Sequence, residues 1–213
     1  MLSNIRIVLV HTFHPGNIGA TARAMRNMGL EDLALVTPRC DPKDQDAYSR
    51  ASGANTLVDA ARQFDALEEA VADCTLVVGA SARSRHLPWP MVAPRALAES
   101  LPAALAPEGA RAALVFGREN HGLDRGELAL CDLTIQVPTS PKHPVLNLSH
   151  AVGIVLYELF RNDAFQRPYR PDVVERQEID LLVERIMEAV RMSRFAKRRL
   201  PRAETTLRRV LVR

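Results

Sequence analysis

Five short apolar runs punctuate the first two thirds of the chain: Ile5–Val10 and residues 33–36, 76–78, 113–116 and 133–137. Each is bounded by Gly, Pro, Asp or Thr, and within each the hydrophobicity is continuous rather than alternating. That is the pattern of strands buried on both faces, as in parallel sheets. Between the first two runs, residues 18–28 predict a helix closed by Gly29 as its C-terminal cap. Residues 58–72 read as a helix between the second and third. After the fifth, residues 146–160 place Leu148, Val152, Val155, Leu156 and Leu159 on one helical face. The alternation predicts an α/β fold with a mostly parallel sheet and helices on both faces.

Residues 162–172 hold Pro168 and Pro171, interrupt the helical pattern and read as a linker. Beyond them Ile179, Leu182, Val183, Ile186 and Val190 recur at helical spacing, and this helix runs into the basic stretch 191–199. Pro201 ends it, and residues 204–212 offer one more short helix. The expected division is a main domain at 1–161, the linker, and a basic helical extension at 173–213.

Charge sharpens that division. Residues 1–160 carry 14 Lys and Arg against 17 Asp and Glu, whereas residues 161–213 carry 14 against 8. From Arg191 onward there are nine basic side chains and one acid, Glu204. A basic tail on a mildly acidic body points to a polyanionic partner, nucleic acid foremost. The 213 residues, 47% hydrophobic and 25% charged, suit one substantial globular domain with an appendage. Cys40, Cys74 and Cys131 are isolated and without metal-ligand spacing, so neither a disulfide framework nor a metal is expected and a reducing cytosol is. Ile5–Val10 is too short for a secretory signal, and nowhere do eighteen apolar residues run together.

In open parallel sheets, ligands sit outside the carboxyl ends of the strands. The first run is followed by His11, His14, Pro15, Gly16 and Asn17, with Arg23 nearly two helical turns beyond Asn17. Here Asn17 can cap the helix, leaving Arg23 as a surface residue, or both can serve a site. His11 and His14 have no third partner at metal-ligand spacing. The third run leads into Gly79, Ala80, Ser81 and Ala82, small residues that admit a ligand close to the backbone, then Arg83 and Arg85, whose planar forks suit phosphate, and then Trp89 between two prolines. The fourth leads into Gly117, Arg118, Glu119, Asn120, His121 and Gly122, either a polar site or a glycine turn with an internal Arg–Glu pair. The fifth leads through Val137 and Pro144 to Asn147 and Ser149, either of which can cap the next helix. Phosphate-loop, dinucleotide, zinc and hydrolase-elbow patterns do not occur.

Taken together and in this order, the loops resemble the SPOUT methyltransferases. Asn17 with Gly19 and Arg23 is similar to that family's first motif, Phe116 to Leu123 (with Gly117, Arg118, Glu119 and Gly122) to its second, and Leu146, Asn147, Leu148 and Ser149 to its third. The resemblance covers about residues 1–160. Ser81, Arg83 and Arg85 followed by Leu87, Pro88, Trp89 and Pro90 resemble the bacterial branch that methylates the ribose 2'-hydroxyl of cytidine or uridine at position 32 of the tRNA anticodon loop.

The resemblance implies a C-terminal deep trefoil knot, a rare exception to the rule that chain connections do not thread. It also implies a homodimer with an active site shared between subunits. S-adenosyl-L-methionine would lie in the knot against Ala80, Ser81, Ala82, Gly117, Val137, Pro144, Val145 and Leu146, largely through backbone groups. Arg23 would bind the substrate phosphate or ribose and stabilise the developing alkoxide. Asn17, Glu119 and Asn147 would orient Arg23 and the target nucleotide. Arg83, Arg85, Arg194, Lys197, Arg198 and Arg199 would hold RNA. Some relatives carry small hydroxyl residues where this chain has Pro144 and Val145, which can offer only backbone contacts. Relatives also often continue past the point where this chain stops, so a longer RNA-binding extension is expected. Two readings compete: a SPOUT enzyme acting on another tRNA position or on ribosomal RNA, and a non-catalytic RNA-binding protein on the same fold.

Overall fold

A computed structural model of the chain describes residues 2–81, 90–164, 176–192, 203–204 and 206–207. The chain divides into two compact units, Met1–Arg167 and Pro168–Arg213. In the first, a short 3-10 turn at Leu2–Asn4 leads into β1 (Ile5–Val10), α1 (Pro15–Asn27), β2 (Asp32–Val36), α2 (Gln45–Ala51), α3 (Asn55–Ala60) and β3 (Arg62–Phe64). Then come α4 (Leu67–Val71), β4 (Leu76–Ala80), β5 (Met91–Val92), α5 (Pro94–Ala104), β6 (Ala112–Phe116), α6 (Arg125–Ala129), β7 (Leu133–Ile135) and α7 (Leu148–Ala164).

The seven strands form one sheet in the order β3-β2-β1-β6-β4-β7-β5, and every pairing is parallel. All six residues of β1 are buried, and five of them are apolar; the sixth, Arg6, is buried with its guanidinium bonded to Asp32, Asp73 and the Ala70 carbonyl. Ile5, Ile7 and Leu9 face one core layer, with Ile18, Ala22 and Met25 of α1, Leu97 and Leu101 of α5, and the stripe Leu148, Val152, Val155, Leu156 and Leu159 of α7. Val8 and Val10 face the other, with Leu67, Ala70 and Val71 of α4 and Leu128 of α6. The expected α7 stripe is therefore the buried face, each member at most 6% exposed.

After α1, Gly29 takes a left-handed φ of +73°. The amide of Leu30 donates to the Met25 carbonyl and that of Gly29 to the Arg26 carbonyl. This Schellman closure is open to glycine because it has no Cβ.

The single helix expected at 58–72 is not found. That segment contains the end of α3, then β3, then α4. The ladder from Arg62, Gln63 and Phe64 to Ala34, Leu35 and Val36 satisfies the backbone there and outweighs a helical periodicity carried by small residues. β7 ends at Ile135, so Val137 lies in the following loop. α2, α5, α6 and β5 were not anticipated from the sequence.

In the second unit, α8 spans Arg176–Met192. Val183 and Met187 are buried, Ile186 and Val190 half-buried, and Leu182 is 46% exposed. The buried stripe is thus centred on 183 and 187 (positions i and i+4), and residue 182 falls off its edge. The Ile179 side chain lies outside the described residues. Ala203, Glu204, Thr206 and Leu207 are helical, and the remainder of the short helix expected at 204–212 lies outside the described residues, as do the linker residues 165–172. No described helix is long and apolar enough to cross a membrane.

Candidate active site

From β1 the chain moves outward to β2 and β3. From β6, the neighbour of β1, it moves to the other side of the sheet, to β7 beyond β4. The carboxyl ends of β1 and β6 therefore flank a topological switch point, where the two following loops splay apart and leave a crevice. Directly after β1, His11 adopts φ +51°, and directly after β2, Thr37 adopts φ +38°. Their side chains meet, with His11 Nδ1 2.6 Å from Thr37 Oγ1 and 3.1 Å from the Thr37 carbonyl. Two non-glycine residues held in this region are a local strain that surrounding contacts must enforce.

Pro15 opens α1, and Asn17 sits inside its first turn with its amide on the His14 carbonyl. Of the two roles open to Asn17, the helix cap is consequently not the one it takes. Its side chain is instead the middle link of a chain crossing three loops. Asn17 Nδ2 donates to Glu119 Oε1 at 2.8 Å, and Asn147 Nδ2 donates to Asn17 Oδ1 at 3.0 Å. Asn147 does cap α7, its Oδ1 accepting from the Ser149 amide at 2.9 Å and from the Ser149 hydroxyl at 2.7 Å. Glu119 completes the chain by accepting the Phe13 and His14 amides at 3.1 and 3.2 Å. Along the path from Ser149 through Asn147 and Asn17, every donor points toward the Glu119 carboxylate, so each bond polarises the next. Burial pushes the Glu119 carboxyl up, but the bonds from Asn17, Phe13, His14 and its own amide outweigh it and hold the group below its ordinary value.

This chain separates two hollows. One is bounded by the carboxyl ends of β4, β6 and β7 and by the loop before α7. Ala80, Ser81, Gly117, Val137, Pro144, Val145 and Leu146 all line it, together with Glu119 and the apolar Ile135 and Leu148. Ala82 lies outside the described residues. The other is a polar groove lined by Asn17, Arg23, Asn147, Ser149, His150 and Arg50. Arg23 is exposed there and makes no hydrogen bond or ion pair to another described residue. Arg83, Arg85, Arg194, Lys197, Arg198 and Arg199 lie outside the described residues.

The loop after β6 is tied down by a residue the sequence did not single out. Glu127 of α6 takes Arg118 Nη2 at 2.7 Å and Nη1 at 3.2 Å, while its own carboxylate also accepts the Asp124 amide in a capping box. The internal Arg118–Glu119 pair entertained above is thus not formed. Arg118 also donates to the Gly122 carbonyl at 3.0 Å, and His11 Nε2 stands 3.8 Å from Glu127. A Cβ at Gly117 would collide with the Gly122–Leu123 backbone, so the tight return of this loop requires glycine. Only the capping pattern of Asp124 with Glu127 three residues later hinted at this support in the sequence.

A parallel α/β sheet with a polar chain across its switch point and a largely apolar hollow beside it defines a class of enzyme-like folds, and comparison narrows the class. Residues 4–157 match the SpoU rRNA Methylase family, and the chain belongs to that family. It is 50% identical over 159 residues to the tRNA (cytidine/uridine/adenosine-2'-O-)-methyltransferase TrmJ of Pseudomonas aeruginosa, which covers 75% of this chain and 61% of that protein. The TrmJ of Yersinia pestis, a tRNA (cytidine/uridine-2'-O-)-methyltransferase, matches to the same extent. The chain therefore spans about three fifths of the length of these curated relatives. Among solved structures, a probable methylase family protein from Haemophilus influenzae superposes with TM-score 0.72 at 37% identity, covering 99% of this chain and 88% of that one. TrmJ from Z. mobilis superposes with TM-score 0.68 at 33% identity, covering 97% and 89%.

Proposed function

We propose that this protein transfers a methyl group from S-adenosyl-L-methionine to the ribose 2'-hydroxyl of a cytidine or uridine at position 32 of the tRNA anticodon loop. The observation that carries the reading is the chain from Asn147 through Asn17 to Glu119, which sets a largely apolar hollow directly beside a polar groove holding an exposed arginine. Similarity to the TrmJ enzymes supports the tRNA target; the Yersinia relative is named for cytidine and uridine, the Pseudomonas relative for adenosine as well.

The hollow suits the cofactor by its lining. Ile135, Val137 and Leu148 offer an apolar bed, and the backbone around Gly117 and around Pro144, Val145 and Leu146 offers amides and carbonyls to an adenine ring. S-adenosylmethionine supplies, when bound, a methyl group already activated on a sulfonium. What remains for the protein is to position the groups and ease deprotonation of a weakly acidic hydroxyl. Arg23 binds the substrate phosphate or ribose and stabilises negative charge developing on the 2'-oxygen. A guanidinium is a poor base, so its role is electrostatic. Asn17, Glu119 and Asn147 hold the first turn of α1, and with it Arg23, against the wall of the hollow.

The same reading carries the deep trefoil knot, a homodimer that completes each site with residues of both subunits, and a cytoplasmic location. It also carries the division into a catalytic domain at 1–161, a linker at 162–172 and an RNA-holding extension at 173–213, to which Arg194, Lys197, Arg198 and Arg199 belong. Arg83 and Arg85 are assigned to RNA and Ala82 to the cofactor. The test is methyl transfer from tritiated S-adenosylmethionine to unmodified tRNA transcripts and, separately, to ribosomal RNA, with the labelled nucleotide mapped and the sedimentation of the chain measured alongside. Label on the ribose at position 32 from a dimer supports the proposal. Label confined to ribosomal RNA, or bound cofactor without transfer, refutes it.

A further inference from the structure

α2 carries an arginine that neither the motifs nor the family resemblance accounts for. α1 and α2 pack closely, because Gly16 and Gly19 present no side chain there: a Cβ at Gly19 would meet the Ala47 backbone. Across the bare surface of Gly16 lies the Arg50 side chain, whose Cδ and Nε are both 2.6 Å from where a Cβ would stand. Asp46 holds it there, one turn earlier on α2, with Nε 3.0 Å from Oδ1. This grip uses only Nε. The two terminal amino groups of Arg50 have no partner among the described residues, and its side chain is 62% exposed.

Gly16 and Arg23 are seven positions apart on α1, which brings them to the same helical face two turns apart, roughly 10 Å along the axis. Crossing at Gly16 therefore delivers the Arg50 guanidinium to the face that bears Arg23, and both arginines line the same groove with Asn17 and Asn147. Arg23 is unpaired among the described residues, and Asp46 engages Arg50 only at Nε, leaving its amino edge free. Two guanidinium groups spaced along one polar groove, one unpaired among the described residues and one held at Nε with its amino edge free, match two phosphates of one RNA strand.

Resting on the RNA-methylating reading above, we propose that Arg50 grips a backbone phosphate flanking the target nucleotide, so that Arg23 and Arg50 together set the register of the RNA strand in the groove. Arg50 is a positioning residue for substrate, distinct from the group that meets the reacting ribose. A charge-assisted bond of this kind corresponds to about a tenfold change in affinity.

The test compares wild type, Arg50→Gln, Arg50→Lys and Gly16→Ala in the full chain, using an unmodified tRNA transcript. Arg50→Gln is expected to raise KM for tRNA about tenfold with a much smaller change in kcat, and to lower the slope of log affinity against log salt by roughly 0.7–0.9, one phosphate contact. Gly16→Ala keeps the charges but displaces the Asp46–Arg50 pair that a Cβ there would strike, so it should raise KM in the same direction, with circular dichroism and S-adenosylmethionine affinity as in wild type. Arg50→Lys should restore the salt slope and only part of KM. An unchanged slope and KM in Arg50→Gln overturn the assignment, as does a slope unchanged while the variant sediments more slowly, which makes Arg50 a subunit contact. The slope decides this whether or not methyl transfer is detected; failure of wild type to methylate any tRNA counts against the functional reading instead.

Discussion

Replacing Glu119 by Gln tests the polar chain with almost no change of shape. The carboxylate accepts three bonds: Asn17 Nδ2 and the His14 amide on Oε1, and the Phe13 amide on Oε2. An amide has one acceptor oxygen. Placed at Oε1 it keeps two bonds as neutral ones, each weaker by about 1 kcal/mol than a bond to a charged group, and it turns its NH2 against the Phe13 N–H. Leaving that donor unpaired costs about 1–3 kcal/mol, at the lower end here because Phe13 is 45% exposed and water can reach it. The sum is roughly 3 kcal/mol, and the opposite amide orientation sacrifices two bonds rather than one. Urea unfolding at pH 7, followed by circular dichroism, should read this loss. The pH dependence supplies a second reading. Because the folded-state carboxyl lies below its ordinary value of 4.5, its stabilisation is complete above that value and is lost as pH falls through the folded one. The gap between wild type and Glu119→Gln should therefore narrow below pH 4.5. A variant within about 0.5 kcal/mol of wild type at pH 7, with a gap independent of pH, would refute the argued role of the chain.

Arg23→Ala should abolish methyl transfer while leaving S-adenosylmethionine affinity and unfolding nearly as in wild type, since the side chain is exposed and unpaired among the described residues; near-normal turnover removes it from the mechanism. Arg6→Ala should destabilise by about 3 kcal/mol in urea, because Arg6 is 1% exposed and bonded to Asp32, Asp73 and the Ala70 carbonyl. A loss under 1 kcal/mol contradicts that. Charge reversal at Arg198 and Arg199 should flatten the salt dependence of tRNA binding without altering cofactor affinity, whereas an unchanged slope means the tail is not an RNA arm.

What the sequence disclosed follows from how local each cause is. β1 was legible to the residue because a strand buried on both faces is apolar nearly throughout, the ion-paired Arg6 being its one polar residue, and the α7 stripe because one buried helix face repeats at 3.6. β3 was not, since Arg62 and Gln63 are exposed and β3 pairs with β2 alone at the sheet edge. Of the two readings open for Asn17, the cap is a local habit of Asn and is not what forms; its bonds reach residues 119 and 147, a grouping that only the family resemblance suggested. Glu127 and Arg50 escaped notice. Their importance comes from Arg118 and from the bare surface of Gly16, and no periodicity along the chain encodes either meeting.

The central claim is a position on an RNA, and it is tested most directly by mapping ribose 2'-O-methylation at nucleotide resolution in tRNA from a strain lacking this protein. The expected result is loss of the methyl at pyrimidine 32, restored by the wild-type protein and not by Arg23→Ala. Methylation at position 32 that persists in the deletion strain would contradict the account.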